Sequence, residues 1–413
     1  MTTSIGVAGT ATTAYSTSSQ VRVDEVRRTP TAGLDWLLLG SVLVLSLIGC
    51  LLVWSATSAE AELSGGDPRA FVQRQVVNLG IGLGLLVAVV LVDHRWVRIL
   101  APVVYVGSII GLVLVLVMGS VVNGSKSWLM LGGMSIQPSE FAKLAVVVGM
   151  ALVVAERSEG RWLTRLGLVD VVAMLLIAGL PASLILLQPD LGTMLVLTAT
   201  VFGVLAAAGT PRRWLVALGG GGVLAATGAV MAGVLEDYQI DRFMAFTNPE
   251  LDPRGAGYNV EQARIAVGNG GLFGQGLFGG SQTRSGFVPE QHTDFVFTVA
   301  GEELGLVGAT VIVALLGVLI WRALLIAVRT DDVFGRVAAA GIACWFAFQA
   351  FQNIGMCLGI MPVTGVPLPF VSYGGSSMFA SMLAIGLLLN IASRTATAPA
   401  ARMRPRRFAL SRP

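Results

Sequence analysis

The chain has 413 residues, of which 54% are hydrophobic and only 12% charged, with 27 Lys and Arg against 24 Asp and Glu for a formal net charge of +3. Soluble domains carry about 25% charged residues, so a water-exposed globule is excluded, and the small, scattered basic excess argues against nucleic acid as a partner. Cys50, Cys344 and Cys357 all lie in apolar runs without metal-ligand spacing, and read as small buried hydrophobes, not a disulfide framework.

Residues 1–33, rich in Ser and Thr and then charged, have no apolar core or small-residue cleavage site. They read as a disordered cytoplasmic tail, not a signal peptide. Ten apolar segments follow, at 34–56, 75–92, 97–119, 138–155, 168–187, 191–208, 214–234, 295–321, 337–358 and 374–392. Each is at or near the roughly 20 residues that a bilayer helix needs. The fifth and sixth are divided only by Gln188-Pro189-Asp190, but merged they would make one very long helix with a proline inside. Arginines gather in the short connections (Arg95, Arg98, Arg157, Arg212, Arg213, Arg329, Arg336) and in the basic tail 393–413. By the positive-inside rule both termini are then cytoplasmic. The expected fold is an all-α polytopic membrane protein with ten transmembrane helices over 34–392 and a large extracytoplasmic loop, 235–294, between helices 7 and 8. The outward segments hold most of the Gly, Pro, Asn, Gln and carboxylate residues, so any chemistry is expected there.

In VNGSKSWLMLGGMSIQPSEFAK, residues 122–143, Asn123-Gly124 signals a turn, Trp128 suits the interface and Pro138 opens a helix. Glu140 and Lys143 are neighbours on that helix. They fit a local ion pair at a helix start; equally, Lys126 and Lys143 would meet an anionic headgroup, because a lysine inside a bilayer helix needs such a reason. Asp190 in QPDLGT either caps the next helix or pairs with a base from a neighbouring loop.

The long stretch 235–294 supplies Arg242, Arg254, Arg264 and Arg284. Within it Val260, Ala263, Ala266 and Val267 mark one side of a short amphipathic helix. The following GNGGLFGQG has no β-strand before it and is no dinucleotide fingerprint; its glycines suit a backbone that packs closely. His292 and Asp294 then stand at the mouth of an apolar segment. Asp294 would cap the helix near Phe295, pair with His292 or an arginine, or act as a general base, and the residues alone leave these readings open. Glu302 falls about 80° round a helix from Asp294, so the two would flank one cavity, while Glu303 points away. Near the C-terminus Pro362, Pro367 and Pro369 preclude a regular helix, and Gly374-Gly375-Ser376-Ser377 opens the final span.

Together, NGSKSW, QPSEFAK, QPDLGT, AVGNGGLFGQGL, PEQHTDFVF with GEELG, and NIGMCLGIMPVTGVPLPFVSYGGSS resemble the SEDS family (shape, elongation, division and sporulation), the ten-span membrane glycosyltransferases of the bacterial cell wall. PVTGVPLPF is most similar to the elongation, rod-shape member. The resemblance implies that Asp294 is the catalytic carboxylate and that Trp128, Glu140 and Lys143 belong to the functional outward surface. It also implies polymerisation of lipid II into glycan strands at the outer face of the cytoplasmic membrane, for cell elongation and shape. The partners would be undecaprenyl-pyrophosphate-linked glycan and a single-pass class B penicillin-binding transpeptidase. In that reading His292 tunes Asp294, and Lys126, Lys143, Arg242, Arg254, Arg264 or Arg284 offsets pyrophosphate charge, with the glycine-rich loop as lid. A divalent cation (Mg or Mn) would share that work, although no carboxylate spacing marks a site for one. The rival classes are a lipid II flippase, a division-type member and a scaffold for a partner enzyme.

Overall fold

The computed structural model describes residues 33–59, 66–122, 125–131, 134–158, 166–233 and 255–395. The tail before residue 33, most of the basic tail, and the part of the long loop that holds Arg242 and Arg254 lie outside the described residues.

The chain runs α1 (Trp36–Ser58), α2 (Ala70–Leu91) and α3 (His94–Met118), then a small sheet, then α4 (Pro138–Ser158), α5 (Leu168–Leu186), α6 (Leu191–Ala207) and α7 (Arg212–Met231). After the undescribed part of the loop come α8 (Ala256–Asn269), α9 (Ser281–Ser285), α10 (Val296–Arg329), α11 (Val333–Cys357) and α12 (Gly375–Thr395). Helix starts follow their capping residues. Asp35 accepts the Leu38 N–H at 3.1 Å, Asp190 the Thr193 N–H at 3.0 Å, and Asp332 the Gly335 N–H at 2.8 Å.

One expectation is corrected here. Among the described residues eight helices, not ten, are long and apolar enough to cross a membrane. Helix α6 has only 17 residues, about 26 Å at 1.5 Å per residue, short of the ~30 Å hydrocarbon core. Helix α7, outside the eight, begins with two arginines and carries the side-chain-less run Gly219-Gly220-Gly221-Gly222. The all-α class stands, with one small sheet added between α3 and α4. Strands β1 (Ser120–Val122), β2 (Ser125–Leu131) and β3 (Met134–Ile136) form an antiparallel sheet in that order. In sequence only Asn123-Gly124 and Gly132-Gly133 separate them, pairs that favour two-residue hairpins.

Helix α11 is the hub of the bundle, packed against α10, α6 and α4, while α12 lies along α2 and α10 along α1. Its Gly341 permits close approach, since a Cβ there would stand 2.6 Å from Val204 on α6 and 2.9 Å from Val147 on α4. Trp345 and Phe346 on the same helix are fully buried.

At 34 residues α10 is the longest helix, and it breaks at Gly305 (φ 67°, ψ −168°). That left-handed conformation is one that glycine adopts freely. A break frees backbone groups that an apolar environment cannot satisfy. Here the glycine-rich loop satisfies them. Leu306 and Val307 donate N–H groups to the carbonyls of Gly271 and Leu272 at 2.9 and 3.1 Å, and Gln275 and Gly276 donate to the carbonyls of Glu302 and Glu303 at 3.0 Å each. The side chains of the two glutamates fasten α10 to its neighbours as well. The Glu302 carboxylate accepts the N–H groups of Gln282 (2.8 Å) and Thr283 (2.9 Å) and the Thr283 hydroxyl (2.7 Å), anchoring the start of α9. Glu303 accepts the Ser55 hydroxyl of α1 at 2.6 Å.

Candidate active site

Asp294 sits at the end of a tight turn. The Glu290 carbonyl accepts three N–H groups, from Thr293 (3.1 Å), Asp294 (3.1 Å) and Phe295 (3.2 Å). Glu290 takes φ 52° to do this, an uncommon conformation for a residue other than glycine. Helix α10 begins only at Val296, so Asp294 lies in the turn before it. The half-buried Asp294 carboxylate rests on Gly365, where an added Cβ would come within 3.2 Å of Oδ2 and where φ is 68°.

This carboxylate borders a cavity of about 180 Å³ built by four separate stretches of chain. Ser125, Ser127 and Trp128 come from β2; Asp190 from the α5–α6 turn; Glu290, Thr293 and Asp294 from the turn before α10; Thr364, Gly365 and Pro367 from the proline-rich loop, which continues into Ser376 and Ser377 of α12. Hydrogen bonds join the walls. Gln137 donates its side-chain amide to Asp190 Oδ2 at 3.2 Å and its backbone N–H to Ser376 Oγ at 2.9 Å, and Ser125 donates to the Gln188 carbonyl at 2.7 Å. The N-termini of α4, α6 and α12 adjoin this space, so their positive dipole ends face it.

The candidate residues thus divide. Trp128, Asp190, Asp294 and Ser376 line the cavity; Lys126, Glu140, Lys143, Arg264, Arg284, His292 and Glu302 do not. Lys126 donates to the carbonyls of Leu116 and Val117 at 2.8 and 3.3 Å, closing the C-terminus of α3. Lys143 is fully buried; its Nζ donates to Glu140 at 2.7 Å and Gln349 at 2.8 Å and lies 5.1 Å from the Trp345 ring centre. A headgroup contact for it is therefore corrected to an internal ion pair. Arg264 packs its stem near Gly359, and both Arg264 and Arg284 are exposed away from the cavity. Glu302 flanks α9, not Asp294, with its carboxylate held by Gln282 and Thr283. The glycine-rich loop is pinned to α10 and contributes nothing to the cavity wall, so it is a strut, not a lid.

His292 is buried edge-on to Phe71, ring centres 5.0 Å apart, and its carbonyl accepts the Tyr373 N–H at 2.9 Å. Burial pushes its imidazole below the ordinary value, against an opposing pull from the Glu290 carboxylate. Among the described residues no group of three or more His, Cys, Asp or Glu side chains stands together as a metal-ligand set.

Sequence reasoning passed over Gln137, Glu290, Thr364 and the buried amides Gln349, Gln352 and Asn353. The amides did carry a signal: they fall three and four residues apart, on one face of an apolar helix.

A family model described as a cell cycle protein, grouping FtsW, RodA and SpoVE, matches residues 35–397. The probable peptidoglycan glycosyltransferase FtsW of Trichlorobacter lovleyi is 39% identical over 380 residues, 91% of this chain and 98% of the relative. Stage V sporulation protein E of Bacillus subtilis is 39% identical over 359 residues (86% and 96%), and the peptidoglycan glycosyltransferase MrdB of Escherichia coli K12 is 38% identical over 363 (87% and 93%). Among solved structures, a chain from a peptidoglycan synthase complex that coordinates polymerization and crosslinking superposes with TM-score 0.73 at 32% identity, covering 88% of this chain and 99% of that one. The rod shape determining protein RodA of Thermus thermophilus gives 0.64 at 32% identity, covering 89% and 98%.

Proposed function

Because this chain belongs to the SEDS family, the group of FtsW, RodA and SpoVE, we propose that it is a peptidoglycan glycosyltransferase that polymerises lipid II with Asp294 as its base. The observation that carries this reading is the convergence of four distant chain segments on one cavity with Asp294 in its wall. In the reaction the 4-hydroxyl of the incoming sugar attacks the anomeric carbon of the donor. Asp294 takes the hydroxyl proton as the new C–O bond forms, and the bond to the lipid pyrophosphate breaks. No described lysine or arginine lines the cavity, and the helix N-termini that adjoin it offer positive potential to the leaving group. Trp128 offers an apolar ring, and Asp190, Gln137 and Ser376 offer polar atoms to the sugars.

The cavity end faces outward in this reading. Support comes from Arg98, Arg157, Arg322, Arg336 and Arg394, all at the opposite end of the bundle, where the positive-inside rule puts the cytoplasm. A rod-elongation role rests on the resemblance of PVTGVPLPF to the rod-shape member of the family; Thr364, Gly365 and Pro367 of that segment line the cavity. A class B penicillin-binding transpeptidase is the natural partner, given that a structural relative was solved in a peptidoglycan synthase complex.

Purified protein incubated with labelled lipid II, with and without such a transpeptidase, tests the reading. Glycan strands are the expected product. Movement of lipid II across a vesicle without strand formation would make the protein a transporter instead.

A further inference from the structure

Three side-chain amides project from α11 into the cavity walls. Gln349 Nε2 donates to the Pro367 carbonyl at 2.9 Å, and Gln352 Nε2 donates to the Thr364 hydroxyl oxygen at 2.6 Å. Asn353 Nδ2 donates to two carbonyls at 2.7 Å each, those of Val366 and of Asp294. One amide group therefore ties the turn that carries Asp294 to the loop that carries Gly365, the residue on which the Asp294 carboxylate rests.

The chemistry of the group fits this one use. Asn353 is fully buried, both Nδ2 protons are spent on the two carbonyls, and its Oδ1 takes no partner among the described residues. A flipped amide would face two carbonyl oxygens with a third oxygen. The neighbouring Gln349 is held in one orientation by donors on its other side. Lys143 and the Trp345 indole both donate to Gln349 Oε1, at 2.8 and 2.6 Å, which leaves Nε2 for Pro367. The Glu140–Lys143 pair thus acts on the cavity through Gln349.

We propose that Asn353 is a positioning residue for the glycosyl-transfer reaction: its two hydrogen bonds fix the distance between the Asp294 turn and the wall at Gly365, and so the aim of the Asp294 carboxylate. This rests on the reading of Asp294 as the base. A misplacement of about 1 Å at such a group costs on the order of 100-fold in rate.

The test uses the full chain and labelled lipid II, comparing Asn353→Ala, the equal-sized Asn353→Asp, and Asp294→Asn. Asn353→Ala should lower kcat between about 10-fold and 100-fold with KM for lipid II within about two-fold. Asn353→Asp can donate only when its carboxyl is protonated, so its kcat relative to the unaltered protein should rise as pH falls from about 8 to about 6. It also carries the test should the alanine variant fail to fold. An Asn353→Ala enzyme with unchanged kcat, or a loss confined to KM, overturns the proposal, as does an Asn353→Asp ratio that is flat with pH. If Asp294→Asn is inactive while Asn353→Ala keeps full kcat, only the positioning role fails. If Asp294→Asn polymerises normally, the base reading fails and the positioning role with it.

Discussion

At one end of the bundle Asp35 is gripped by Arg322 at 2.6 Å and Asp93 by Arg394 at 2.8 Å, while Asp332 and Asp170 stand 3.8 and 3.7 Å from Arg98 and Arg157. At the other end Asp190, Glu290 and Asp294 line a cavity to which no described lysine or arginine contributes. An arginine partner holds a carboxylate in its charged form and occupies its lone pairs. At Asp93 the Arg95 backbone N–H, with Arg394 behind it, keeps the carboxyl below its usual range. Such acids are fasteners. The contrast teaches that the same residue type becomes a candidate proton acceptor when backbone and amide groups position it in the wall of a cavity.

The contrast can be broken most sharply at Asp294. Asp294→Asn should reduce strand formation from labelled lipid II by about 100-fold to 10,000-fold while leaving the thermal midpoint unchanged; a large fall in that midpoint would make Asp294 a fastener too. Next comes the internal pair. Lys143→Met leaves Glu140 buried without its cation, at a cost of about 3–5 kcal/mol, read as thermal unfolding in detergent. Loss of activity at an unaltered midpoint would instead move the pair into the site.

A weaker effect is expected at His292. Its folded-state value is depressed from 6.5 by burial, so below 6.5 the unfolded chain binds more protons than the folded one. Its contribution to stability is complete above 6.5 and is lost as pH falls from there toward the folded value. His292→Phe should flatten that slope in unfolding midpoints measured across the window; an equally steep slope in the variant assigns it to another group. The smallest effect belongs to the exposed fasteners. Arg394→Ala should leave the midpoint unmoved, because an exposed ion pair is screened and entropically costly.

Much of the site was legible because motif spacing survives folding. Pro138 does open α4, Val260, Ala263 and Ala266 are buried on one side of α8, and HTDF, QPDLGT and the proline-rich loop meet at one cavity. The number of spans was not legible, since hydropathy alone does not separate a 17-residue helix such as α6 from a full crossing. Nor were the partners of the charged residues. Lys126 looked like a headgroup ligand but closes a helix ten residues earlier in the chain, and Glu303 found Ser55 across 248 positions. Helical angles misplaced Glu302 relative to Asp294 because the helix starts after Asp294. The spacing of the α11 amides marked a polar face in an apolar helix, but not which backbone each amide would hold.

The Gly305 break also bears on how the chain enters the bilayer. Residues 271–276, which satisfy the broken helix, leave the ribosome before residues 302–307, which need them. The receiving groups are therefore already made when the defective helix arrives, and both halves of the exchange lie within one stretch of chain. Shortening the glycine-rich segment should therefore leave the backbone groups freed at the break without partners, and lower the yield of membrane-integrated protein.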